Sequence, residues 1–343
     1  MADAVAAELR EAGLEVAEDP SSAETGSDAG NLLARVPPPE GGRTVLLCAH
    51  LDTVPVEGPI EVVEADGVLR NGRPAILGAD NKAAVAVLLA IARRFAREPA
   101  PVGLELLFTT CEEIGLRGAK AFDRSQLDAE FGFVFDHASP IGELIVAAPT
   151  LYRIEGRFRG APAHAGIRPE EGRNAIVAAA RALAALELGR IDDQTTANAG
   201  RIEGGSAINV VAEHCRVELE ARSLDHDRAG DLVTRIVDAL TESASDAECD
   251  VEAIVEEEFR AYRLPRSSPP VQAAVAALER LAIEPRLIPT GGASDAHVYQ
   301  ARGLPCLNVA NGTERNHEPG ESVTVAALET MLDVTFGLVA AAA

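Results

Sequence analysis

The residues able to do chemistry in this chain are two histidines and a set of carboxylates, most of them placed just behind short apolar runs. His50 and Asp52 close TVLLCAHLDT, residues 44–53. Glu112 and Glu113 follow LELLFTT, which starts at Leu104; Asp136 follows FGFVF; His317 comes a few residues after LPCLNVANG, which starts at Leu304. Asp80 stands near the head of LGADNKAAVAVLLAIARRF. Imidazole nitrogens mixed with carboxylate oxygens suit zinc, with cobalt or manganese as substitutes, and argue against an iron–sulfur or all-cysteine site. Such a set exceeds what one tetrahedral ion takes. Two ions sharing a carboxylate would use all of it, because the bridge neutralises both cations and spaces them to share a hydroxide. Asp80 is the candidate bridge. Whichever of Glu112 and Glu113 is not a ligand is free to take a proton from activated water and deliver it to a leaving group, and spacing hardly ranks the two. Asp52 can accept the second N–H of His50 and fix its tautomer. Each residue alone also has a bland role: a strand-end histidine in an ordinary hydrogen bond, or an aspartate capping a helix. Two adjacent carboxylates behind a buried strand are harder to dismiss, because their repulsion calls for a cation.

These side chains need elements that bring them together. An apolar run of roughly four to eight residues reads as a strand covered on both faces. An open α/β sheet carries its strand carboxyl ends on one edge, where ligands bind. LGADNKAAVAVLLAIARRF predicts a largely buried helix with Asp80 or Asn81 at the N-cap and an end near Arg97. Residues 2–16 have amphipathic helical spacing, 20–30 make a polar connection, and 58–73 predict a hairpin or loop on the crevice rim. From about Leu151 the texture changes. A strand at LYRIEGRFRG, a helix over 174–188, strand pairs around GGSAINVVAE and then CRVELEARS, a helix over 227–243 and a strand at DVEAIVEEEF suggest an α+β sandwich on an antiparallel sheet. The expected fold class is α/β: a mixed, largely parallel sheet flanked by helices, in two parts at 1–149 and 262–343, with an inserted α+β domain at 150–261. A helix over 323–343 ends the chain.

Composition narrows the function. At 343 residues, two domains are expected. A net charge of −23, from 31 Lys and Arg against 54 Asp and Glu, argues against nucleic acid or an anionic membrane surface as partner and favours a cationic ligand. The longest apolar runs, such as 83–92, are too short to span a bilayer, and MADAVAAELREAGLEV lacks the form of a signal peptide, so a cytoplasmic location is expected. Cys48, Cys111, Cys215, Cys249 and Cys306 are odd in number, lack C-x-x-C spacing and read as reduced core residues. Cys111, with no basic neighbour to lower its pKa, reads as strand packing. His214, His226 and His297 lack motif support and read as structural or exposed, and Glu256 to Glu258 as a solvated face.

Taken in order, CAHLDTV, LGADNKAA, TTCEEIGLRGAKAF, the strand ending in Asp136, APAHAGIRPEEGRNAI, GGSAINVV, EARSLD, TGGASDAHVYQARGLP and the late His317 resemble the co-catalytic zinc peptidase superfamily. That superfamily includes peptidase T, carboxypeptidase G and the aminoacylases; the pattern is closest to the peptidase T-like branch. One motif would be weak, but the ordered set spans nearly the whole chain. The resemblance implies two Zn2+ per subunit, with His50 and Asp136 on one, Glu113 and His317 on the other, and Asp80 between them. It implies that Asp52 orients His50 and that Glu112 is the general base for attack of water on an amide carbonyl. The insert would be a lid that also makes a homodimer contact. Its His164 would stabilise the tetrahedral oxyanion, an arrangement that can reach the partner subunit's site. Asn209 and Arg222 match lid positions that hold the substrate's carbonyl or carboxylate, although Arg222 can equally pair with Glu220 or Glu218 at the surface. Gly291 and Gly292 match a loop whose backbone approaches substrate closely.

The chain also departs from the family. An extra helix and a Ser-rich segment usually precede the part that matches residue 1, so a shortened N-terminus is expected. His137 stands where small residues are common, and Glu318 where threonine is usual. The expected activity is hydrolysis of an amide bond next to a free terminus of a small peptide. An N-acyl amino acid deacylase would use the same chemistry with a different lid and rim. Outside the enzymes, the alternative is a metal- or peptide-binding protein that keeps the fold without turnover.

Overall fold

Thr44–His50 lies at the middle of the main sheet in the computed structural model, which describes residues 1–56 and 58–343. It pairs in parallel with Gly103–Thr109 on one side and Phe131–Val134 on the other, and Phe131–Val134 pairs in parallel with Cys306–Val309. Apart from Thr44, every residue of these four strands is buried. A strand covered on both faces has no polar face to alternate with, which is why these runs read as continuously apolar. Leu32–Val36 and Glu143–Ala148 border them in antiparallel pairing, so the sheet is mixed. In register, His50 stands beside Thr109, and Cys48 lies between Leu107 and Val134. The carboxyl ends therefore line up along one edge.

Helix Ala79–Phe95 packs on Thr44–His50 and Gly103–Thr109. Its buried residues include Ala84, Val87, Leu88 and Ile91, spaced three and four apart along the helix. Burying a leucine such as Leu88 stabilises the fold by about 1.5–3 kcal/mol. Helices Ala2–Glu11 and Val325–Ala341 pack against this helix in turn. The expected side-chain cap at Asp80 or Asn81 is absent. Gly78 takes the cap position at φ +76°, where a β-carbon would be strained, and Asp80 and Asn81 leave helical dihedrals across a cis peptide bond. The Asp80 carboxylate is engaged elsewhere. Cys111 is also not in a strand: Gly103–Thr109 ends before it, and Cys111 turns the chain at φ +56° toward the two glutamates.

These elements belong to a unit made of Met1–Ala147 and Arg263–Ala343. A second unit, Ala148–Tyr262, holds an antiparallel sheet in the order Gly189–Arg190, Thr195–Gly204, His214–Ser223, Thr150–Arg159, Asp250–Phe259. Ile154, Phe158, Val217, Leu219 and Ala221 alternate along its strands and pack with Ile236 and Leu240. Helix Ala175–Ala185 is capped by Asn174 and helix His226–Asp246 by Asp225, each side chain accepting two backbone amides. The strands expected around GGSAINVVAE are Thr195–Gly204, which ends on its first glycine, and His214–Ser223, which follows it, with residues 205–213 as the loop between them. Gly205 turns there at φ +76°, which ends the ladder. Among the described residues no helix is long and apolar enough to cross a membrane.

Candidate metal centre

His50, Asp80, Glu112, Glu113, Asp136 and His317 meet beyond the carboxyl ends of the parallel strands. His50 Nε2 lies 3.2 Å from Asp80 Oδ1 and 3.7 Å from Asp136 Oδ1. His317 Nε2 lies 3.2 Å from Asp80 Oδ2 and 3.0 Å from Glu113 Oε1. The two oxygens of Asp80 thus face two different imidazoles. Ligand atoms of His50, Asp80 and Glu113 gather within 4.8 Å of one another, and so do those of His50, Glu112 and Asp136.

Asp52 and its neighbours fix this geometry. His50 Nδ1 lies 3.1 Å from the Asp52 main-chain oxygen and 3.5 Å from its Oδ1. An Nδ1–H donated there leaves Nε2, which faces Asp80 and Asp136, as the nitrogen able to take a metal. The Asp52 carboxylate accepts the backbone amides of Glu112 and Glu113, each at 3.1 Å. One residue therefore holds both the imidazole and the acidic pair. Lys82 Nζ donates to the same Asp52 carbonyl at 3.2 Å.

Nothing in the sequence reading singled out Asn308 or Asp295. Asn308 Oδ1 accepts the Asp136 N–H at 3.0 Å and its Nδ2 donates to the Asp136 carbonyl at 2.9 Å, so a side chain of one parallel strand holds the end of its neighbour. A signal was available: a polar residue inside CLNV is costly unless it is partnered. Asp295 is buried and accepts the Thr109 hydroxyl at 2.5 Å, and burial pushes its carboxyl up to about 6.

The electrostatics show which charge the cluster favours. Burial opposes a charge on His50, yet Asp136, Asp52 and Asp80 outweigh it and hold the imidazole well above its ordinary range. Hydrogen bonds to Asp80 and Glu113 push His317 up to about 10. Burial works to raise Asp80, but His317 and His50 hold it below the usual carboxylate range. Burial pushes Asp136 up to about 7 against the pull of His50, and burial with the Asp136 charge raises Glu112 well above its ordinary value. The site gathers protons to offset crowded carboxylates, a demand that divalent cations meet better. The residues fit a pair of such ions: a mixed nitrogen and oxygen set, with the oxygens of one carboxylate turned to separate imidazoles.

The remaining predicted residues lie apart from this cluster in sequence. Gly291 and Gly292 precede helix Ala296–Ala301, and a β-carbon would meet nothing at Gly291 and only Thr290 Oγ1, at 3.6 Å, at Gly292. Packing within the chain therefore does not require glycine at either position. His164, Asn209 and Arg222 belong to the second unit. There His164 bridges Val210, and the Ala165 amide donates to the Asn209 carbonyl at 2.9 Å, so the His164 and Asn209 loops lie side by side, both residues exposed. Arg222 donates to both oxygens of Glu220, at 3.1 and 2.9 Å.

The sequence profile of peptidase family M20/M25/M40 matches residues 46–341. The chain is 33% identical over 332 residues to the uncharacterized protein YqjE of Bacillus subtilis (strain 168), covering 96% of this chain and 90% of that protein. Among solved structures it is similar to aminopeptidase PepT from Bacillus cereus ATCC 10987, with a TM-score of 0.90 and 34% identity over 99% of this chain and 92% of that one. A tripeptidase from Staphylococcus aureus subsp. aureus mu50 gives a TM-score of 0.93 and 30% identity, covering 99% of this chain and 92% of the other.

Proposed function

Because the chain belongs to peptidase family M20/M25/M40 and is a metal-dependent peptidase, we propose that it is a di-metal exopeptidase releasing a terminal residue from small peptides, with tripeptides as the leading substrates. One observation carries the di-metal part of this reading: Asp80 turns one oxygen to His50 and the other to His317, each at 3.2 Å. His50 and Asp136 would hold one cation, Glu113 and His317 the other, and Asp80 both. Zinc is the proposed metal, with cobalt or manganese as substitutes. When bound, the cations supply Lewis acidity that polarises the amide carbonyl and favours deprotonation of water.

The chain's own residues do the rest. Glu113 Oε1 is committed to His317 at 3.0 Å, whereas Glu112 gathers with His50 and Asp136, so Glu112 is the proposed base. Its burial raises its affinity for protons, which suits a group that takes a proton from water and passes it to the departing amine. Asp52 sets the imidazole and the loop of the acidic pair. His164 is the proposed oxyanion stabiliser, Asn209 and Arg222 the proposed substrate anchors, and the backbone at Gly291 and Gly292 a proposed substrate contact. For Arg222 this requires release from Glu220. The second unit is the proposed lid and homodimer contact.

The test pairs metal stoichiometry with activity. Purified protein should hold two divalent ions, lose tripeptide hydrolysis on chelation and regain it with zinc, cobalt or manganese. Turnover that survives chelation sinks the mechanism. Hydrolysis of N-acyl amino acids without tripeptides would make it a deacylase, and two bound ions with no turnover of either would make it a binding protein. Light scattering that shows only monomer at micromolar concentration would oppose the dimer.

A further inference from the structure

Glu321 reaches the candidate centre by a route that the ligand set does not use. It stands four residues after His317 and is 1% exposed. Both of its carboxylate oxygens accept backbone amides from the segment that carries Asp80: Oε2 from Gly78 at 2.7 Å and Oε1 from Asp80 itself at 2.8 Å. The partners lie 243 and 241 residues away in sequence, so this is a tertiary clasp. Those amides need it. Asp80 and Asn81 depart from helical dihedrals and Gly78 is left-handed, so the segment takes an irregular path into helix Ala79–Phe95. A buried carboxylate is costly, and two short charge-assisted bonds offset that cost while fixing the backbone on both sides of Ala79. Lys82, on the first regular turn, ties the same segment to the Asp52 carbonyl.

We propose that Glu321 is a positioning residue: by clasping the amides of Gly78 and Asp80 it holds the Asp80 carboxylate between His50 and His317 and ties the His317 segment to the bridge. The inference rests on the di-metal reading above. It concerns how the bridge is held, a role separate from ligation. Glutamine at this position keeps the shape but can accept through only one atom. Its Nε2–H2 would face a backbone N–H, two donors opposed, so one bond of the clasp is lost and Asp80 shifts.

The test is Glu321→Gln in the full chain, stripped of metal and titrated with Co2+ by calorimetry and visible absorption. Loss of support around a metal ligand typically costs about 10–100-fold in metal affinity. We expect a loss of that size for at least one ion, a changed cobalt absorption band, and a fall in kcat with KM held within about twofold. Glu321→Asp, which keeps two acceptor oxygens, should recover part of the affinity. A purely structural role would lower the melting temperature of the metal-free protein and leave affinity, spectrum and kcat unchanged; that result overturns the proposal. Should Glu321→Gln not fold, hydrogen exchange on the metal-free wild type decides, because the Gly78 and Asp80 amides must exchange slowly, and fast exchange overturns the clasp. A wild type that binds no cation would defeat the di-metal reading, with exchange still judging the clasp.

Discussion

Metal binding at the candidate centre should expel protons from its histidines. His317 stands at about 10, so its imidazole is charged at pH 7, and Asp136, Asp52 and Asp80 hold His50 above its ordinary range against its burial. A metal ion needs a neutral nitrogen lone pair, so binding two ions should release about one proton from His317 at pH 7, with any proton on His50 released besides. Asp136, pushed up to about 7, adds a further fraction of a proton. The sign follows from the raised histidine values: below them each unit rise in pH weakens proton competition about tenfold for each proton displaced, so affinity climbs with pH. The proton on His317 alone should make the affinity rise about 100-fold between pH 6 and 8, and any proton displaced from His50 steepens the rise. The assay is calorimetric titration of zinc or cobalt into metal-free protein at pH 7, in buffers of differing ionisation enthalpy. The slope of observed heat against ionisation enthalpy counts the protons. Release of less than about half a proton per pair of ions would refute the reasoning, since it would mean that the imidazoles do not give up protons to metal. Affinity that is flat from pH 6 to 8 would refute it independently.

Glu112→Gln should lower kcat by about 10²–10⁴-fold while two ions remain bound, checked by metal analysis beside steady-state kinetics. Loss of both ions would instead make Glu112 a ligand. His164→Ala should leave metal content unchanged and cut kcat by about 10²–10³-fold, the scale of one oxyanion donor. An unchanged kcat would remove His164 from the reaction. Leu107→Ala should destabilise the first unit by about 2–5 kcal/mol in urea unfolding of the metal-free protein, because Leu107 is fully buried in a strand between Leu33 and Cys48. A cost below about 1 kcal/mol would mean that the site collapses around the gap.

The sequence by itself determined the strands and the edge on which the chemistry gathers. Thr44–His50, Gly103–Thr109, Phe131–Val134 and Cys306–Val309 are short and apolar because both faces are covered, and a side chain following such a run emerges where the sheet ends. Local composition encodes that much, since burial acts on each residue in turn. Tertiary structure decided what depends on partners distant in the chain. Glu112 and Glu113 are adjacent and chemically alike, and what distinguishes them is the bond of Glu113 to a histidine 204 residues away, reached after the turn at Cys111. Asp80 reads in the sequence both as a candidate bridge and as a helix cap, and only the fold shows its backbone leaving the helix and its oxygens turned to His50 and His317. A polar side chain inside CLNV marks Asn308 as needing a partner, but nothing local names that partner or the one of Glu321, for they lie 172 and 241 residues off. Hydrogen bonds are directional and short-ranged, so which groups pair is fixed only when packing of the apolar strands has brought distant backbone within about 3 Å.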